Sequence, residues 1–242
     1  MFHPNGPTFF ELAEQALSST ERGYDLLAPK FDYTPFRTPQ KLIDSLAAYL
    51  ATDQPVDSAL DVCCGTGAAL CTLRPLCRER VVGLDISRGM LEVCRKHATE
   101  APGTAQVELV RADALAMPFG PEFDVVVSFG AFGHVLRRDE PRFAAEIARV
   151  LRRGGRFVFV TAQMPPLWSR RYWLSRGFNA AMRVRNWLIA PPFIMYYLTF
   201  LLPEVEGLLR RQGLTVEVRE MGESGPWADL RLVIATRPPL AA

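Results

Sequence analysis

Leu60-Asp61-Val62-Cys63-Cys64-Gly65-Thr66-Gly67-Ala68 joins a short apolar run to a helical pattern, and its reading decides the fold. Gly65 and Gly67 allow a sharp turn and close approach of a ligand to the backbone. The helix that follows presents free N–H groups and partial positive charge to an anionic group. A second apolar run, Val81-Val82-Gly83-Leu84-Asp85, ends in a carboxylate 18 residues after Gly67. An acid in that place can accept both hydroxyls of a ribose. A dinucleotide fingerprint needs a third glycine three residues after Gly67, so that the helix packs beside a pyrophosphate, and position 70 is leucine. A nucleoside with a small carboxylate tail therefore fits better than a pyrophosphate. Asp113, in Arg111-Ala112-Asp113-Ala114, is placed to accept from an adenine amino group.

Outward from this loop, short apolar runs alternate with helical patterns. Strands are expected at 59–63, 81–85, 107–110, 123–128 and 156–161, with helices between them. Runs that are apolar on both sides and separated by helices imply a parallel sheet covered on both faces. A helix from about Pro203 to Gln212 and strands at 215–220 and 230–236 close the chain. Before the core, residues 8–51 read as helical around a loop from Tyr24 to Phe36, which holds two prolines and four aromatics. The expected organisation is an N-terminal helical cap (1–55), an α/β core (56–161), an insertion after the fifth strand (162–202) and a C-terminal part of the core (203–242).

The chain has 242 residues, 49% apolar and 22% charged, values of an ordinary globular domain. A net charge of +2 argues against a dedicated nucleic-acid binder. The average conceals an insertion with five arginines and no acid, leaving −3 for the rest. Five cysteines, an odd number without a CxxC, speak against a disulfide framework or a zinc ribbon and for reduced thiols in the core. No His/Cys/Asp/Glu cluster has metal-ligand spacing. The opening residues lack a basic segment followed by an apolar run, so a signal peptide is not expected. A cytoplasmic protein, with membrane association left open, is the expectation.

Residues 56–161 resemble the class I S-adenosylmethionine (SAM)-dependent methyltransferases, with weaker agreement through 236. The resemblance lies in the glycine loop, Gly83-Leu84-Asp85-Ile86-Ser87 with Met90, Arg111 to Phe119, Ser128-Phe129-Gly130, and Arg149-Val150-Leu151-Arg152-Arg153-Gly154-Gly155. It implies a Rossmann-like, mostly parallel seven-stranded sheet in the order 3-2-1-4-5-7-6, with the last strand antiparallel. It implies SAM as cofactor, held by Asp61, Cys63, Gly65, Gly67, Asp85, Ile86, Met90, Asp113, Ala114, Ser128 and Phe129. Tyr24 and Arg37, in a segment that many small-molecule members fold over SAM, are further contacts, and Arg37 can pair with a carboxylate. One position departs from the pattern: Cys63 stands where the family's loop has its first glycine.

Methyl transfer from a sulfonium needs alignment and an apolar, water-excluding site rather than a metal. If the acceptor is a hydroxyl or an acidic carbon, a base helps, and His134, just past the fourth strand, is the candidate catalytic residue. Local packing is the alternative role for it. The insertion holds three of the four tryptophans and runs uncharged from Asn186 to Pro203, but Pro191-Pro192 break any membrane span. It reads as a lid over an apolar acceptor pocket, with shallow membrane-surface contact left open. The expected activity is methyl transfer to a small hydrophobic acceptor: a quinone, polyketide or lipid-like molecule. A non-catalytic SAM-binding partner and a nicotinamide-dependent oxidoreductase are the alternatives. No Asn/Asp-Pro-Pro-Tyr motif follows the fourth strand, so nucleic-acid methylation is disfavoured.

Overall fold

In a computed structural model of the chain, the structure describes residues 3–52, 56–221 and 228–239. The boundary expected between 55 and 56, and the extreme termini (1–2 and 240–242), lie partly or wholly outside these residues. Seven strands form one sheet: β1 (Val56–Val62), β2 (Cys77–Asp85), β3 (Gln106–Arg111), β4 (Phe123–Ser128), β5 (Leu151–Ala162), β6 (Thr215–Glu220) and β7 (Leu230–Thr236). Their order is β3-β2-β1-β4-β5-β7-β6. Strands β1 to β5 pair in parallel, and β7 lies antiparallel to both β5 and β6. This is the order and sense that the resemblance implied.

The central strands are apolar on both faces because both faces are covered. One face packs Leu60, Val82, Val126 and Phe157 under α6 (Glu140–Val150) and α8 (Glu204–Arg211), through Phe143, Ile147, Val205 and Leu209. The other packs Val81, Val125, Val158 and Ile234 under α3 (Gln40–Ala51), α4 (Ala68–Leu73) and α5 (Arg88–Glu100), through Ile43, Leu46, Leu70 and Cys94. Fully burying one such Leu, Ile or Phe contributes about 1.5–3 kcal/mol, so the two layers fix the strand order and register.

Three local expectations are corrected. The helix after the glycine loop stops at Leu73, because Arg74-Pro75-Leu76 tightens into a 3-10 turn before β2. Strand β5 starts at Leu151, five residues before the expected start, and runs through the two glycines of a presumed helix end. The segment from Tyr24 begins as helix, since α2 (Thr20–Leu27) follows α1 (Phe9–Leu17) and carries Tyr24 and Asp25 before a 3-10 turn at Ala28–Tyr33. Within the insertion, α7 (Arg170–Leu188) is followed by an irregular stretch to Leu202.

Candidate functional site

The carboxyl ends of β1, β2 and β4, the N-terminal cap and the insertion enclose one cavity of about 680 Å³. That volume lies within the range of small-molecule sites, roughly 300–1,000 Å³. The cavity is lined by Tyr24, Arg37, Asp61, Cys63, Gly65, Asp85, Ile86, Met90, Phe129 and His134 among the residues expected from sequence. Gly67, Asp113, Ala114 and Ser128 are not among its lining residues. Each has a different place for a physical reason. Gly67 begins α4 with φ +89°, and an added Cβ would lie 2.5 Å from Cys94 Sγ, so its role is conformational. Asp113 is exposed, and its Oδ1 accepts from the Leu115 N–H in a local turn. Ala114 packs against the core. Ser128 is fully buried and donates to the Val62 carbonyl, tying β4 to β1.

The glycine loop is held from behind by Asp85. Its Oδ2 accepts from the Gly65 N–H at 2.9 Å and its Oδ1 from the Ser87 N–H at 2.9 Å. Lone pairs remain on both oxygens for a ligand in the cavity. Cys63 adopts φ +57°, the left-handed region where glycine is at ease, so the position suits the glycine that the resemblance implies. Burial and the nearby carboxylates push the thiol well above its ordinary pKa, so it stays neutral. Gly83, opposite the loop on β2, leaves room for Leu70 and Cys64: an added Cβ would stand 2.6 Å from Leu70 Cδ1 and 3.0 Å from Cys64 Sγ. Leu70 thus fills the space a third glycine would have left for a pyrophosphate.

Two polar atoms on the cavity wall, one from an acid and one from a base, lack a hydrogen-bond partner. Asp61 is buried at the end of β1, and its Oδ2 has none. Burial raises its pKa to about 8, opposed by a hydrogen bond from the Leu70 amide and reinforced by the charge of Asp85. Asp85 is raised in the same direction, again chiefly by burial. Arg37 Nε is also buried and unbonded, 3.5 Å from Asp32 Oδ1. An acid and a base that each turn a buried atom without a hydrogen bond towards one cavity favour a ligand that carries both an ammonium and a carboxylate. The tail of SAM has both, so the residues present fit that cofactor.

The cap is tied to the loop by two acids that sequence reasoning did not single out. Asp25 Oδ1 accepts from Ser87 Oγ at 2.6 Å and from the Gly89 N–H at 2.8 Å, capping α5. Asp32 Oδ1 accepts from Thr66 Oγ1 at 2.7 Å, and Asp32 Oδ2 lies 3.6 Å from His97 Nε2. His97 Nδ1–H in turn donates to the Thr66 carbonyl at 2.8 Å. His97 therefore links α5, the loop and the cap; no local signal marks it, because its partners are 31 and 65 residues away.

His134 lines the cavity where it meets the insertion. Its Nδ1 lies 2.5 Å from the Ile194 carbonyl and its Nε2 lies 2.7 Å from the Tyr24 hydroxyl. A carbonyl can only accept, so Nδ1 carries the proton and Nε2 accepts from Tyr24 O–H. Burial lowers the His134 pKa and raises that of Tyr24, which keeps both neutral. The insertion supplies the facing wall. Tyr196 exchanges backbone contact with Gly133 (Tyr196 N–H to Gly133 O, 2.7 Å), Thr199 Oγ1 donates to the Phe132 carbonyl, and Asn179 holds Tyr197 through both its amide atoms. Met195, Tyr196, Tyr197 and Leu198 line the cavity, making this side apolar. Among the described residues, no group of three or more His, Cys, Asp or Glu could hold a metal. All five cysteines are free.

The sheet order and this glycine-loop cavity define the class: residues 59–155 form a class I methyltransferase domain, matching the family described as "Methyltransferase domain". Among relatives, a demethylmenaquinone methyltransferase of Symbiobacterium thermophilum is 32% identical over 169 residues, covering 69% of this chain and 59% of the relative. One of Bacillus cereus is 36% identical over 152 residues, covering 59% and 60%. The chain thus spans about three fifths of these relatives' length. Among solved structures, an O-methyltransferase family protein of Burkholderia thailandensis has a TM-score of 0.66 at 18% identity, covering 99% of this chain and 66% of that one. The magnesium protoporphyrin IX methyltransferase of Synechocystis, solved with bound SAH, has a TM-score of 0.59 at 19% identity and 82% coverage of both chains. These likenesses show the fold.

Proposed function

We propose that this protein transfers the methyl group of SAM to a small, apolar, hydroxyl-bearing acceptor of quinone-like character. The observation that carries the reading is the pair of unbonded buried atoms, Asp61 Oδ2 and Arg37 Nε, beside Asp85 in one cavity whose far wall is apolar. SAM would supply an electrophilic methyl group. Asp85 would accept the ribose hydroxyls, Arg37 would pair with the carboxylate, and Asp61 would meet the ammonium. Ile86 and Met90 give an apolar seat for the base.

On the acceptor side, Phe132, Met195, Tyr196 and Tyr197 exclude water, which favours a step in which charge is dispersed. His134 Nε2 is an unprotonated nitrogen reached through the Tyr24 hydroxyl. Tyr24 can accept a hydrogen bond from the acceptor's hydroxyl while donating its own proton to His134, so the pair can move one proton away from the acceptor. Demethylmenaquinone methyltransferases, the relatives named above, suggest the quinone class.

Calorimetry with SAM and transfer of labelled methyl to a demethylated quinol test the reading. Micromolar SAM binding, its loss by at least about a hundredfold in Asp85→Ala, and label in the quinol are expected. Unchanged affinity in that variant would remove the site assignment; a labelled product of another class would remove the acceptor assignment alone.

A further inference from the structure

Helix α7 is apolar on the side that faces away from the protein. At 100° per residue, Trp173, Leu174, Gly177, Ala180, Ala181, Val184, Trp187 and Leu188 fall within an arc of about 140°. All are exposed, Trp187 by 84% and Trp173 by 64%. The opposite arc holds Phe178, Asn179, Met182 and Asn186, which face the insertion's return stretch. Leu167 and the 87%-exposed Trp168 are two further exposed apolar side chains immediately ahead of the helix. A soluble surface does not ordinarily carry three exposed tryptophans within twenty residues of chain, two of them on one helix, since each large apolar ring costs free energy against water.

The charge around the stripe has one sign. Arg170 stands at its start, and Arg176 and Arg183 run along one flank; all three are exposed and none makes an ion pair or hydrogen bond among the described residues. By contrast, the two arginines on the other flank are engaged: Arg171 pairs with Asp229, and Arg185 donates to the Ala16 and Ser18 carbonyls. No Asp or Glu occurs from 162 to 202. Among the described residues no helix is long and apolar enough to cross a membrane.

We propose that the outer face of α7 docks on the surface of an anionic lipid bilayer. The helix, about 28 Å long, lies in the interface plane with Trp168, Trp173 and Trp187 at the headgroup level and Arg170, Arg176 and Arg183 against lipid phosphates. Aromatic amphipathic rings suit that depth, and the charge complementarity selects lipid over a neutral apolar partner. The inner side of the same insertion lines the cavity through Arg171, Ser175, Tyr196 and Tyr197, so docking sets the cavity's insertion wall against the membrane surface.

The test is vesicle flotation of the whole protein with about 30% phosphatidylglycerol in phosphatidylcholine, and with phosphatidylcholine alone. Three of the four tryptophans lie on this helix or immediately ahead of it, so their fluorescence reports docking directly. Binding to the anionic vesicles, weakened at least tenfold by omitting the anionic lipid or by about 0.5 M salt, and accompanied by a blue shift, is expected. Trp173→Ser/Trp187→Ser and, independently, Arg176→Glu/Arg183→Glu should each cut binding at least tenfold while SAM affinity stays within twofold. The charge reversal leaves the apolar stripe intact, so it decides the matter if the tryptophan variant fails to fold. Absence of binding, binding indifferent to both variants, or a dimer in sedimentation that these variants dissociate without any vesicle binding would each overturn the proposal.

Discussion

Asp61 makes the unliganded protein lose stability as pH rises, and the sign and window follow from the structure. Its carboxyl has an ordinary pKa of 3.8 and is pushed to about 8 in the fold, chiefly by burial. Between those values the folded state holds a proton that the unfolded chain has released, so stability falls with rising pH. Below pH 6.5 His134 opposes this trend: its pKa is lowered by burial, so the unfolded chain binds the extra proton there and stability rises with pH. Above about pH 8 the raised thiols add a trend of their own. The clean window is therefore pH 6.5 to 8, where Asp61 contributes about 1.4 kcal/mol per pH unit, or about 2 kcal/mol in all. For a chain of this size that is a fall in Tm of about 4–8 °C. Asp85, raised in the same direction, can only add to it. The assay is calorimetric or fluorimetric melting across the window, for the parent and for Asp61→Asn. The variant should lose the part of the slope that Asp61 contributes and melt above the parent at pH 8. Saturating SAM, whose ammonium favours the ionised acid, should flatten the parent's curve, so the ligand-induced rise in Tm grows with pH in the parent and not in the variant. A parent curve flat across the window, or a variant with the parent's slope, would refute the burial argument.

Cys63→Gly should stabilise the protein by about 0.5–1 kcal/mol, because relief of roughly 1–2 kcal/mol at a left-handed residue exceeds the entropy glycine adds to the unfolded chain, and should tighten SAM binding severalfold; melting and calorimetry measure both. Gly67→Ala should cost roughly 2–4 kcal/mol in chemical denaturation, since a Cβ would overlap Cys94 Sγ at a φ of +89°, and Cys94→Ala should restore only the steric part. Tyr24→Phe should lower kcat by roughly a hundredfold with SAM affinity nearly unchanged. In the parent, the acid limb of kcat/KM against pH should lie below 6.5, the ordinary value of the histidine whose pKa burial depresses. A limb above that value would exclude neutral His134 as the proton acceptor.

The strand order and the floor of the site were legible in the sequence because both rest on short-range patterns. Five apolar runs bounded by helical periodicity, a glycine loop and an acid 18 residues on are all contained within one βαβ unit or its neighbours. Ends of elements were less legible. The register of β4 to β5 shifts between Phe123 and Val125, and the backbone around Gly154 extends the sheet, although two adjacent glycines after an amphipathic helix read locally as a helix end. Least legible were contacts between distant segments. Asp25, Asp32 and His97 are ordinary surface types in sequence, and only the packing of α2 against α5, with Gly89 pressed to the Asp25 carbonyl (2.9 Å from an added Cβ), makes them structural. Asp113 shows the effect of a local contact instead. Its place after β3 matched the motif, but an Asx turn to Leu115 N–H engaged its Oδ1.

These long-range contacts also connect the two halves of the site. Tyr24 and Asp25 are adjacent on α2; one reaches His134 and the other caps the helix behind Asp85. Seven residues on, Asp32 accepts from Thr66 in the glycine loop and pairs with Arg37, whose Nε has no hydrogen bond. A ligand that satisfies Arg37 and Asp61 therefore braces the same segment that positions Tyr24 and, through it, His134 Nε2. Tyr24 stacks on Phe193 and His134 donates to the Ile194 carbonyl, so the insertion is joined to this chain of contacts at its return stretch. The glycine loop, His134 and the insertion thus share one set of contacts, and the residue at its centre is Tyr24, whose hydroxyl is the group hydrogen-bonded to His134 Nε2 among the described residues.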